Sequence, residues 1–315
     1  MKKFTSVKDV HNPQGLADLG IKLKKSPFSH QELGRNKSMG IIFLNPSLRT
    51  RLSTQKAAKN LGMDAIVLNF SGESYVLEME DGVVMNGTSQ EHIKEAAAVI
   101  GQYFDVIGIR SFPLFENREI DYADKIINAF VKYSGKPVVN LESATTHPLQ
   151  SLTDLITITE LKKVERPKVV LTWAPHPRRL PQAVANSFAE WMNEADVDLT
   201  IAHPKGYELA PTYVGNAIVT HDQNAAIEGA DFVYAKNWST YEPYGQIQSE
   251  DASWMITKAK MDLTNNGKFM HCLPVRRNVI VGDDVLDSEY SAVIQQAGNR
   301  EWAAQAVLKT ILETN

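Results

Sequence analysis

One pentapeptide, Ser47-Leu48-Arg49-Thr50-Arg51, brings together hydroxyls, two guanidinium groups and the start of a helix. Before it, residues 39–44 form a short apolar run of strand length with β-branched content, and Asn45-Pro46 breaks it. Ser47 stands where a cap is expected, and Leu52, Ala57, Ala58 and Leu61 recur near helical spacing until Gly62 stops the segment 48–61. The first N–H groups of a helix lack intrahelical partners and carry partial positive charge. With Arg49 and Arg51 beside them they make an anion site of phosphate size. The plainer alternative is a capped helix with two solvated arginines.

Other chemistry-bearing residues fall just past further apolar runs. Arg110 follows 105–109, and Glu142-Ser143-Ala144-Thr145-Thr146-His147-Pro148-Leu149-Gln150 follows 137–141. His176 follows 168–173, Lys236 follows 231–235, Cys272 lies near the end of 268–273, and Arg300 opens the helical segment 300–312. Arg49, Arg51, Arg110 and Arg300 are candidates to hold a phosphate or carboxylate. Pro148 stiffens the loop at His147, and Gln150 offers a carbonyl and an amide. An arginine, a histidine and a threonine aimed at one carbonyl oxygen would polarise it and stabilise an oxyanion. No histidine–serine–carboxylate set stands out, no Gly-x-Gly-x-x-Gly or Walker loop is present, and the histidines lack zinc-site spacing. The expected chemistry is phosphate binding plus carbonyl activation: transfer of a group from an acyl-phosphate-like donor to a nucleophile, with no metal and no organic cofactor.

The elements that must position these residues alternate. Strands are expected at 39–44, 64–69, 105–109 and 137–141, with helices at 48–61 and 91–104 and a long polar loop at 70–89. After a linking helix at 151–163 the pattern restarts, with strands at 168–173, 198–202, 231–235 and 268–273 and helices at 183–193 and 300–312. Such alternation implies α/β architecture in two domains, each a parallel sheet flanked by helices, and ligands in such sheets bind beyond the carboxyl ends of the strands. The expected division is 1–150, completed by a C-terminal helix at 296–315, and 151–295. A polar, cationic pocket between them follows. The 315 residues exceed one core, and a net charge of −4 gives no support to a nucleic-acid partner. The single cysteine, the lack of a signal-type apolar segment behind Met1 and the lack of a spanning apolar run lead to the expectation of a cytoplasmic protein with no membrane partner.

Ser47-Leu48-Arg49-Thr50-Arg51, His147-Pro148-Leu149-Gln150 and His271-Cys272-Leu273-Pro274, in this order and at these separations, resemble the aspartate/ornithine carbamoyltransferase superfamily. Asn299-Arg300 followed by Ala304 and Gln305 resembles the Asn-Arg helix of the ornithine enzymes, and the likeness covers nearly the whole chain. Leu48 departs from the usual Ser-Thr-Arg-Thr-Arg. The resemblance implies that Ser47, Leu48, Arg49, Thr50 and Arg300 hold the phosphate of carbamoyl phosphate. It implies that Arg110, His147 and Gln150 hold the carbamoyl group, with Thr50 and Arg110 at its oxygen, and that Cys272 and Leu273 lie near the carbamoyl nitrogen and the attacking amine. Arg49, Thr50, Arg110, His147 and Cys272 are thus the expected catalytic set. A homotrimer with shared sites is also implied.

Two departures bear on the acceptor. Ornithine enzymes carry Asp-x-Trp-x-Ser-Met-Gly after the strand matching 231–235, the aspartate holding the free α-ammonium; here the segment reads Lys236-Asn237-Trp238-Ser239-Thr240-Tyr241. A lysine there would repel an α-ammonium and attract a carboxylate. Trp173-Ala174-Pro175-His176-Pro177-Arg178, with His271 to Asn278, is similar to the N-acylornithine branch. That similarity implies that Glu142, His176 and Lys236 contact an acylated ornithine, with Arg276 or Arg277 nearby; the alternative for the arginine pair is a solvated surface. In this branch the loop containing Tyr75 and Gln90 is expected to reach a neighbouring subunit's site and touch donor and acyl group, and Tyr75 departs from the usual tryptophan. A glutamate near position 90 would repel the second carboxylate of succinate, and neutral Gln90 removes that repulsion. The reading therefore favours N-succinylornithine over N-acetylornithine. Free ornithine, a non-catalytic metabolite-binding protein and a dehydrogenase of similar fold are the remaining alternatives.

Overall fold

The runs rich in isoleucine, valine and leucine form parallel strands in a computed structural model that describes residues 1–70 and 76–314. Contacts divide the chain into two compact units. The first comprises Met1–Asn12, Leu19–Leu149 and Arg300–Asn315, and the second comprises Pro13–Asp18 and Gln150–Asn299.

In the first unit the five-stranded sheet runs Lys3–Phe4, Val138–Glu142, Val106–Arg110, Ser38–Phe43, Asp64–Asn69, and every pairing is parallel. Purely parallel sheets need crossovers that cover both faces, so their strands bury side chains on both sides. Ile42, Ile107, Ile109 and Val138 accordingly share a core cluster with Ile93, Ala97, Phe104, Ile127 and Phe130 of the helices Ile93–Tyr103 and Lys125–Tyr133 and the residue after the first of them. Each fully buried side chain of this size stabilises the fold by about 1.5–3 kcal/mol. The chain leaves Ser38–Phe43 to one side for Asp64–Asn69, then returns on the other side for Val106–Arg110. That reversal makes a crevice at the carboxyl ends of Ser38–Phe43 and Val106–Arg110.

The second unit repeats the plan with Ile218–Thr220, Asp198–Ala202, Lys168–Trp173, Phe232–Lys236 and Lys268–Met270, again all parallel. Here the reversal falls between Lys168–Trp173 and Phe232–Lys236. The helix Ala183–Asn193 is buried from Ala183 to Met192.

Several expectations need adjustment. The edge strands Lys3–Phe4 and Ile218–Thr220 have too few residues to show a period. The segment expected as one helix from 91 opens as a two-residue strand, Glu91–His92, paired with Leu77–Glu78, before the helix Ile93–Tyr103 begins. The linking helix starts earlier, at Pro148–Leu161, because proline fits the first turn of a helix. The last helix is longer, Val293–Thr314. Pro13–Asp18 belong with the second unit, where Gln14 Nε2 donates to Thr159 Oγ1 at 3.2 Å. Residue Tyr75 lies outside the described residues.

Candidate active site

The phosphate-type residues of the first unit sit at its reversal point. Leu44 N–H donates to the Arg110 carbonyl at 3.0 Å, and Asn45 Oδ1 accepts from Phe112 N–H at 2.7 Å. These bonds tie together the two loops leaving the adjacent strands. The helix Leu48–Asn60 begins immediately afterwards, with Ser47 extended at the cap position. Contrary to expectation, the Ser47 side chain caps no N–H group, so its hydroxyl and the first helical donors are not spent on each other. Leu48 is 67% exposed, so only its backbone N–H can serve an anion; this explains why leucine is acceptable in place of threonine.

Thr50 is buried and accepts a 2.7 Å hydrogen bond from Arg300 Nη2, which brings the C-terminal helix to the start of the helix Leu48–Asn60. Among the described residues Arg49 makes no hydrogen bond or ion pair. Arg51 is committed: it donates to Asn69 Oδ1 at the end of the neighbouring strand and lies 5.3 Å from the centre of the Phe43 ring.

Arg110 and Glu142 are the last residues of their strands, stand opposite each other at a register shift, and form a buried ion pair. His147 Nε2 lies 3.6 Å from the same Glu142 carboxylate oxygen. The structure thus sets Glu142 beside Arg110 and His147. The loop that delivers His147 is clamped from below. Asn140 Nδ2 donates to Thr146 Oγ1 at 2.9 Å, Ser143 Oγ donates to Asp124 Oδ2 at 2.9 Å, and Thr145 Oγ1 also donates to Asp124. Burial pushes the Asp124 carboxyl above the usual range, against the pull of Thr145, Ser143 and the Ala144 N–H. Asp124 and Asn140 are not among the residues singled out in the sequence, and Asn45 figures there only as a strand breaker. An asparagine inside the valine-rich strand Val138–Glu142 was the available signal.

In the second unit, Lys236 ends its strand, is 8% exposed, and makes no side-chain hydrogen bond or ion pair among the described residues. A buried cation without a partner is costly, which marks a place where an anion is expected. Asn237 Nδ2 donates to the Ala174 carbonyl at 2.8 Å, and Ala174 N–H to the Lys236 carbonyl at 3.1 Å, so the loops bearing Lys236 and His176 are tied together. Arg276 Nε donates to His176 Nε2 at 3.1 Å. The His176 Nδ1 lies 2.9 Å from the Arg178 carbonyl and 3.0 Å from the Arg178 N–H. Burial lowers the His176 pKa from its ordinary 6.5, and the nearby charges of Lys236, Arg276 and Arg178 lower it further, against the Arg178 carbonyl bond.

Arg277 does not join this group. It is exposed and bonded to Asp283 at 2.8 Å and Asp287 at 2.6 Å, which hold its pKa above the ordinary arginine value. Of the arginine pair, then, only Arg276 stands beside His176. Gln90 is exposed; its Oε1 accepts from Val76 N–H at 2.8 Å and its own N–H donates to the Val76 carbonyl at 3.0 Å. Cys272 is half-buried, and Leu273 takes a left-handed conformation with φ 51°, its N–H donating to His271 Nδ1 at 2.9 Å. Gln150 Nε2 donates to Asp154 Oδ1 at 2.8 Å. Among the described residues no group of three or more His, Cys, Asp or Glu side chains is placed to hold a metal ion.

Residues 2–160 match the family model for the aspartate/ornithine carbamoyltransferase carbamoyl-P binding domain, and residues 181–311 match that for the Asp/Orn binding domain. The chain belongs to the aspartate/ornithine carbamoyltransferase family. An N-succinylornithine carbamoyltransferase of Bacteroides thetaiotaomicron is 57% identical over 315 residues, covering 99% of each chain. An N-acetylornithine carbamoyltransferase of Xanthomonas axonopodis pv. citri is 37% identical over 308 residues, 90% of each. A solved N-acetyl-L-ornithine transcarbamylase with one glutamate replaced by alanine, complexed with carbamyl phosphate and N-succinyl-L-norvaline, has a TM-score of 0.93 at 35% identity and covers 99% of this chain and 100% of its own. For a carbamoyltransferase the division of labour is coherent: the first unit carries the helix start and the Arg110–Glu142–His147 group, and the second carries Lys236, unpaired among the described residues, and the neutral His176.

Proposed function

We propose that the protein transfers the carbamoyl group of carbamoyl phosphate to the δ-amine of N-succinyl-L-ornithine, giving N-succinyl-L-citrulline and phosphate, as a step of arginine biosynthesis. The observation that carries the choice of an acylated acceptor is Lys236: a buried ammonium with no carboxylate partner among the described residues suits an α-carboxylate and opposes a free α-ammonium. Identity of 57% to an N-succinylornithine enzyme, against 37% to an N-acetylornithine enzyme, supports succinate as the acyl group. The neutral side chain of Gln90 supports the same choice, as does the N-succinyl-L-norvaline complex of a relative that has lost one glutamate.

The donor's phosphate is held by Ser47, the Leu48 N–H, Arg49, Thr50 and Arg300, and by Tyr75 from the loop. Arg110, His147 and Gln150 take the carbamoyl group, and Cys272 and Leu273 lie against its nitrogen. His176, Lys236 and Arg276 receive the carboxylates of the acceptor. The Glu142 carboxylate receives its δ-amine. The neutral δ-nitrogen attacks the carbamoyl carbon, and the oxyanion that forms is stabilised by Arg110, His147 and Thr50. The carbon–oxygen bond to phosphate then breaks, and the departing phosphate takes a proton from the δ-nitrogen that attacked. Positioning and fixed charge lower the barrier, and no covalent intermediate on the protein is needed.

The assembly we propose is a homotrimer in which the 70–90 loop reaches a neighbouring site. Val84 within this loop is 81% exposed, as suits a surface that docks on a second copy. Light scattering is expected to give about three times the 35.1 kDa chain mass, and a monomer would contradict it. Among the described residues no helix is long and apolar enough to cross a membrane, and with a single cysteine we place the protein in the cytoplasm. Carbamoyl phosphate labelled with carbon-13, mixed with N-succinyl-L-ornithine and enzyme, should yield the label in a ureido carbon by NMR. Label found only in unreacted donor and its breakdown products would refute the transfer.

A further inference from the structure

We propose that Asp154 is a positioning residue for carbamoyl transfer, fixing which way the side-chain amides of Gln150 and Gln296 point. The proposal rests on the reading of Gln150 as a carbamoyl ligand. Asp154 lies four residues after Gln150 on the helix Pro148–Leu161, so the two share a face one turn apart. Gln150 Nε2 donates to Asp154 Oδ1 at 2.8 Å, and Gln296 Nε2 donates to the same oxygen at 2.7 Å. All three side chains are buried.

A glutamine amide has nearly the same shape when its oxygen and nitrogen exchange places, so its neighbours decide the orientation. An ionised carboxylate only accepts hydrogen bonds. It therefore forces both amides to turn their NH2 groups toward it and their oxygens away. For Gln296 the consequence is visible: its Oε1 accepts the His271 N–H at 2.9 Å, and His271 Nδ1 in turn accepts the Leu273 N–H at 2.9 Å. One carboxylate thus orients the acceptor that holds the His271 backbone, at the start of the turn carrying Cys272 and Leu273. For Gln150 the same constraint turns the carbonyl oxygen away from Asp154, and a carbonyl oxygen is the type of acceptor that a carbamoyl NH2 group requires. Tyr234 is fully buried, and its burial, with Asp154 and Cys272 nearby, holds its hydroxyl protonated. Asp154 touches neither substrate in this account. It acts through Gln150 and the His271 turn.

The test is a double-mutant cycle on the full chain, with steady-state kinetics for each substrate. Asp154→Ala should lower kcat/KM for carbamoyl phosphate by about tenfold or more and leave KM for N-succinylornithine within about twofold. In a Gln150→Ala background the same change should cost less than about threefold, because the amide it orients is gone. An equal loss in both backgrounds, with Gln150→Ala itself harmful, overturns the proposal alone. If Gln150→Ala leaves the carbamoyl phosphate parameters unchanged, Gln150 is not a carbamoyl ligand, and both the reading and the proposal fail. Should Asp154→Ala not fold, Asp154→Asn serves: an asparagine can turn either atom to the amides, so a partial loss in kcat/KM for carbamoyl phosphate is expected that disappears in the Gln150→Ala background. Unchanged kinetics in Asp154→Asn overturn the proposal.

Discussion

We propose that the charge of Lys236 decides the acceptor. An ammonium that is 8% exposed, without a carboxylate at hand among the described residues, gains most from a ligand carboxylate. A hydrogen bond between charged groups contributes about 1.5–3 kcal/mol. Lys236→Met should therefore lower kcat/KM for the acylated ornithine by about 10- to 100-fold and leave KM for carbamoyl phosphate unchanged. A uniform loss with both substrates would show damage to the fold instead. His176 makes a second residue-scale prediction. Its pKa is lowered by burial first and then by the charges of Lys236, Arg276 and Arg178, so the ring stays neutral as pH falls through its ordinary value of 6.5. The group is depressed, so its contribution is present above 6.5 and is lost only as pH falls through the lower folded-state value. The acceptor KM should be flat through pH 6.5 and rise only below it; a midpoint at 6.5 or above would contradict the burial argument.

At the scale of elements, function depends on where strands end and helices begin. The helix Leu48–Asn60 starts at the reversal of its sheet, and Arg49 has no partner there among the described residues. Arg49→Ala should leave the melting temperature nearly unchanged and reduce kcat/KM for carbamoyl phosphate by about a hundredfold or more, as measured by phosphate release. Thermal unfolding shifted by many degrees would make Arg49 a structural residue. The loop ending at Gln90 is pinned by the paired strands Leu77–Glu78 and Glu91–His92 and by the Asp81–Lys94 ion pair at 2.7 Å. Gln90→Glu should shift the kcat/KM ratio toward N-acetylornithine, and an unchanged ratio would remove Gln90 as a selector of the acyl group.

Much of this was readable from periodicity and punctuation. The strands Asp64–Asn69, Lys168–Trp173 and Asp198–Ala202 and the helix Ala183–Asn193 have the bounds expected from their apolar patterns. Placing Arg110, Glu142 and Lys236 at strand ends needed only the length of each run. Partners that come from distant sequence were not legible. Nothing local in Arg276-Arg277 says that one arginine meets His176 and the other meets Asp283 and Asp287. Likewise Ser47 has the right residue type and backbone for a cap, yet its hydroxyl is not used as one.

At the scale of the whole molecule, two units of the same plan carry two kinds of charge problem. The first gathers guanidiniums and helix N–H groups suited to a doubly charged phosphate, with Arg110 already balanced by Glu142. The second keeps Lys236 unbalanced among the described residues and His176 neutral. A like charge brought to contact distance at an effective dielectric near 20 costs about 4 kcal/mol, enough for a preference of about a thousandfold. The most direct measurement is therefore kcat/KM for N-succinylornithine, N-acetylornithine and ornithine, each with saturating carbamoyl phosphate. The account predicts that N-succinylornithine leads, N-acetylornithine follows, and ornithine trails by about a hundredfold or more. Ornithine turned over as well as either acylated form would contradict it.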